Sequence, residues 1–85
     1  MKYTKIPAIT GKQLIRLLKK DDWCVKRKAK HGIAVTKYIG DRNRVTVIPN
    51  TRASLDIGTL MAILGSKQTN IGKRGLLRLI NKYGL

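Results

Sequence analysis

Residues 26–31, KRKAKH, set four cations, Lys26, Arg27, Lys28 and Lys30, beside the only histidine of the chain, His31. An imidazole can move a proton near neutral pH, and ammonium or guanidinium groups next to it can hold a phosphate and stabilise developing negative charge. That inventory suits RNA cleavage, because the 2′-hydroxyl of the substrate is itself the nucleophile and the protein need only move protons and stabilise charge. His31 is the expected catalytic group. Lys26, Arg27, Lys28 and Lys30 are the expected phosphate holders, with Lys37 and Arg44 on neighbouring strands as weaker RNA-binding candidates. The same run also reads as a solvated strand edge whose lysines discourage edge-to-edge pairing, with His31 merely structural.

Other chemistries fail on inventory. Two-metal catalysis needs several carboxylates or histidines at one site, and this chain has four Asp and no Glu. Asp21 and Asp22 are adjacent, Asp41 falls in a turn and Asp56 suits a helix cap. One Cys and one His do not make a structural zinc site. No nucleophile motif surrounds Ser54 or Ser66, and Gly72-Lys73-Arg74-Gly75 is a basic glycine stretch that reads as a loop and helix start rather than a phosphate loop. Neither a metal nor an organic cofactor is expected.

Eighty-five residues allow one small domain, and 19 Lys and Arg give a formal charge of +15. Such a balance implies a polyanionic partner, with RNA ahead of a membrane surface. No stretch approaches the ~18 apolar residues that span a bilayer. The opening MKYTKIPAIT lacks the long apolar core of a secretion signal, so a cytoplasmic location is expected. Cys24, the only cysteine, is expected as a buried, reduced thiol beside Trp23. With one Trp, three Tyr and no Phe, base stacking has little to work with beyond Tyr38 on the sheet.

The elements that must position these residues are legible from spacing. T-x-x-Q at Thr10–Gln13 predicts a capping box, followed by a helix whose Leu14, Ile15, Leu17 and Leu18 share one face. From Trp23 the period becomes two, with Trp23, Val25 and Arg27 opposed to Cys24, Lys26 and Lys28, as in a half-buried strand. Runs at 33–39 and 44–48 flank a turn at 40–43 and complete a three-stranded antiparallel sheet. His31 shares parity with Ile33 and Val35, which places it on their face unless Gly32 carries a bulge or the strand begins after it. Asp56 predicts the cap of a second helix, with Leu60, Met61, Ile63 and Leu64 facing inward and Gly65 at its end. Leu76, Leu77, Ile80 and Tyr83 predict a third. The expectation is an α+β fold, α-β-β-β-α with an extra C-terminal helix, the helices on one face of the sheet and the other face open to a ligand.

The ordered set TGKQLIRLLKKDDW, RVTVIP at 44–49 and GTLMAIL at 58–64 resembles the HicA family of bacterial toxins. The resemblance runs over about residues 10–64 of a single domain covering 1–85, with a helical extension over about 66–85. It implies a fold like the double-stranded-RNA-binding domain. It further implies an mRNA-cleaving toxin of a type II toxin–antitoxin system, a metal-independent endoribonuclease neutralised by a HicB-type antitoxin. The family's histidine lies in a G-S-H signature; here the triplet is Ala29-Lys30-His31, so only His31 carries over. Asp22 stands where the family commonly has glycine before tryptophan. The alternative is a non-catalytic RNA-binding module of the same architecture.

Overall fold

A computed structural model describes residues 3–85. Helix α1 (Gly11–Lys20) begins at the predicted capping box: the Gln13 amide donates to the Thr10 hydroxyl at 3.1 Å, and the Thr10 amide donates to the Gln13 side-chain oxygen at 3.0 Å. Two amides that the first turn leaves without helical partners are thereby satisfied. Leu14, Ile15, Leu17 and Leu18 are all buried, and Lys19 and Lys20 sit at the negative pole of the helix.

Strands β1 (Cys24–Ala29), β2 (Gly32–Ile39) and β3 (Arg42–Ile48) form one antiparallel sheet in the order β1-β2-β3. Both connections are two-residue turns, Lys30–His31 and Gly40–Asp41. Because the second turn uses only Gly40 and Asp41, β3 starts at Arg42, two residues before the expected start at Arg44. Helices α2 (Ile57–Leu64) and α3 (Gly72–Tyr83) follow. The Asp56 side chain caps α2 by accepting the Thr59 amide at 2.9 Å, and Gly65 ends it. The fold is therefore the expected α-β-β-β-α layout with a third helix.

The helices cover one face of the sheet. Val35 and Ile48 are fully buried beneath them, in one cluster with Trp23 and the inward residues of all three helices, including Leu76, Leu79 and Ile80 of α3. Thr46 is buried with them, its hydroxyl bonded to the Gln68 side chain.

Strand β1 departs from expectation. Its pairing with β2 shifts between Val25 and Arg27: Val25 pairs with Val35, Arg27 with Ala34 and Lys28 with Ile33. The unpaired extra residue is Lys26, and this bulge reverses the alternation in the second half of the strand. All residues from Cys24 to Lys28 are exposed, so β1 is a solvated edge rather than a half-buried strand. Cys24 is exposed as well, correcting the expected buried thiol. Trp23 turns into the core at 2 % exposure, and its successor must then point the opposite way.

The uncovered face is poor in charge. It carries Cys24, Ala29, Ala34, Thr36, Tyr38, Asn43, Val45 and Val47, with Arg27 as its one cation by alternation and pairing. Tyr38 is its most exposed large hydrophobic side chain, at 67 %.

Candidate functional site

His31 is in neither strand. The Ala29–Gly32 pair closes β1 on β2, and Lys30 and His31 form the exposed turn beyond it. The parity conflict in the sequence is resolved because β2 begins after His31, and the bulge lies at Lys26 instead. An exposed hairpin turn can present an imidazole without burying its ring nitrogens, as a group serving an external substrate requires.

Two glycines set what lies beside this turn. A Cβ on Gly32 would run into the Ile48 carbonyl, and one on Gly11 would run into the Pro49 carbonyl. The end of β3 is thus held against both the start of β2 and the start of α1. The chain then continues along the entrance to α1: the Lys12 amide donates to the Thr51 carbonyl at 3.3 Å, and the Leu55 amide to the Ile9 carbonyl at 2.7 Å. Asn50 and Thr51 consequently line one shallow depression together with Lys28, Lys30 and His31. Asn50 also borders a second, adjoining depression whose cations, Lys12, Arg16, Lys19 and Lys20, all come from α1.

The sequence-predicted residues separate into three groups. Lys28, Lys30 and His31 share the depression. Lys26 and Arg27 are exposed farther along β1, Lys26 at the bulge and Arg27 on the uncovered face. Lys37 and Arg44 are paired neighbours at the far end of β2 and β3, about 17 Å from Gly32 along the strand. They are not brought together with His31. The Lys37 ammonium donates to the Asp21 carbonyl at 2.8 Å and lies 3.6 Å from the Asp21 carboxylate, the only ion pair among the described residues. The Arg44 guanidinium donates to the carbonyls of Ser66 at 2.8 Å and Gln68 at 3.1 Å, fastening the loop after α2 to the sheet.

Sequence reasoning passed over Asn50, Thr51 and the outward cations of α1. The available signal was the pair Gly11 and Gly32, each standing where a strand or helix would gain from a side chain. Electrostatically the depression is cationic, and among the described residues no carboxylate lines it. It can bind an anion and place an imidazole beside it. Among the described residues, no three His, Cys, Asp or Glu come close enough together to hold a metal ion. No helix of the described residues is long and apolar enough to cross a membrane.

Comparison with known families gives one result. The family described as HicA toxin of bacterial toxin-antitoxin matches residues 11–71, from the first residue of α1 to the residue before α3. No curated protein and no solved structure matches the chain significantly. The family match spans well over half of the sequence and takes in the whole sheet and the His31 turn, so this chain belongs to the HicA toxin family of bacterial toxin–antitoxin systems.

Proposed function

We propose that this toxin is a metal-independent endoribonuclease acting on mRNA, with His31 as its proton-transfer group. The carrying observation is the exposed turn that puts His31 among Lys28, Lys30, Asn50 and Thr51 in one cationic depression. In the reaction His31 takes the proton of a ribose 2′-hydroxyl, O2′ bonds to the adjacent phosphorus, and the bond from phosphorus to O5′ breaks. O5′ leaves with a proton from a neighbouring ammonium or water. The products are a 2′,3′-cyclic phosphate and a 5′-hydroxyl. Lys28 and Lys30 stabilise the charge gathering on the phosphate oxygens, and Lys26 and Arg27 hold the strand along β1. Lys37 and Arg44, already bonded to backbone carbonyls, add to the attracting field from a distance. A HicB-type antitoxin neutralises the toxin by laying an acidic surface over KRKAKH, removing both the phosphate site and access to the imidazole.

The test is cleavage of cellular mRNA by purified wild type and His31→Ala in excess EDTA, with RNA binding measured on the same samples. Wild type should cut, leaving cyclic phosphate ends, while the variant binds without cutting. Binding by both without cleavage by either would favour a non-catalytic RNA-binding module. Equal cleavage by both would remove His31 from the chemistry.

A further inference from the structure

The helical side of the molecule carries a second feature that the ribonuclease reading does not use. Between the amino-terminal segment, α2 and α3 runs a groove of about 360 Å³, at the small end for a binding pocket. Its apolar surface comes from Ile6, Ile57, Met61 and Leu77. Ile57, the first residue of α2, is 66 % exposed. Lys5, Lys73 and Arg74 rim the groove, and among the described residues no acidic side chain lines it. Asp56, next to Ile57 in the chain, has its carboxylate engaged by the Thr59 amide and hydroxyl. The groove shares no residue with the His31 depression. Lys73, Arg74 and Leu77 of its lining come from α3, beyond the region that the family match covers.

We propose that this groove docks an amphipathic acidic helix of the cognate antitoxin, as an anchor separate from the surface around His31. The partner's chemistry follows from the lining. Apolar anchors one helical turn apart would cover Ile57, Met61 and Leu77, and flanking carboxylates would meet Lys5, Lys73 and Arg74. A second copy of the chain is a poor occupant, because two molecules of charge +15 would bring like charges together at the rim. RNA would match the cations but leave the exposed apolar floor without a partner. Two separated contacts on one antitoxin also raise its effective concentration at His31, so neutralisation survives competition from abundant RNA.

The proposal rests on membership in a toxin–antitoxin family and is independent of whether the toxin cleaves RNA. Its test uses the full chain and the purified antitoxin, with Ile57→Asp and the double variant Lys73→Glu/Arg74→Glu. All three positions are exposed, and the acidic replacements fall in the first turns of α2 and α3, where negative charge favours the helix. Folding should therefore hold, as thermal midpoints would verify. Each variant should bind antitoxin at least ten-fold more weakly while RNA binding and free-toxin cleavage stay at wild-type levels. Unchanged antitoxin affinity in both variants would overturn the proposal. So would parallel loss of RNA binding, which would make the groove part of the nucleic-acid surface, or a wild-type dimer that either variant dissociates. Failure of the ribonuclease reading would appear separately, as absence of cleavage by wild type.

Discussion

At the scale of single residues, the site turns on whether His31 acts by proton transfer or by charge. The two separate by substitution. If the imidazole transfers the proton, His31→Ala abolishes turnover while RNA binding persists. His31→Lys would restore binding to phosphate if charge were the whole role, but it should leave cleavage as low as His31→Ala. Recovery of cleavage by lysine would overturn the assignment. The residues of KRKAKH were legible as a cationic group next to an imidazole, but their division was not. Lys28 and Lys30 join His31, whereas Lys26 falls on a bulge and Arg27 on the uncovered face. An unpaired extra residue leaves no mark in a run of consecutive cations. Cys24 lies before the bulge, and its side chain is exposed by simple alternation because Trp23 next to it fills the core.

At the scale of elements, the starts of α1 and α2 were readable because capping chemistry is local, while the neighbours of the His31 turn were not, because they arrive through a close approach between β3, β2 and α1. That difference can be measured. Thr10→Ala removes the capping hydroxyl and should cost about 1 kcal/mol, lowering the thermal midpoint by roughly 4–8 °C, with cleavage at permissive temperature retained. Gly11→Ala should behave differently. Alanine ordinarily favours a helix over glycine, but here its Cβ meets the Pro49 carbonyl and must displace the segment that carries Asn50 and Thr51. Stability and cleavage should therefore fall together; a stabilised, fully active Gly11→Ala would show that the approach does not shape the site. The α2 cap adds a pH dependence. The Thr59 amide and hydroxyl hold the Asp56 carboxyl below its ordinary value. Its contribution is present above the unfolded carboxylate range and disappears as pH falls through the lowered folded value. The stability gap between wild type and Asp56→Ala, read from thermal midpoints, should accordingly close on acidification.

At the scale of the whole molecule, a charge of +15 attracts any polyanion, and what distinguishes a site from a field is where cations are free to displace counterions from phosphate. The uncovered sheet face, expected to be the open ligand surface, has Arg27 as the one cation that strand pairing places on it, while cations gather at the β1–β2 turn and along the adjoining side of α1. The cationic track therefore runs from the turn past Asn50 to α1, around the end of the sheet rather than across its face. Lys28 and Lys30 should each release about one condensed ion, so Lys28→Ala and Lys30→Ala should each reduce the slope of log affinity against log salt by ~0.7 for a single strand. Lys37→Ala and Arg44→Ala should change that slope much less, because their side chains are committed to the Asp21, Ser66 and Gln68 carbonyls. Their loss should appear in the thermal midpoint instead, as carbonyls deprived of donors and a loop released from the sheet. Arg16→Ala decides the path: a slope reduction matching that of Lys30→Ala extends the RNA track onto α1, and an unchanged slope confines binding to the hairpin turn and β1.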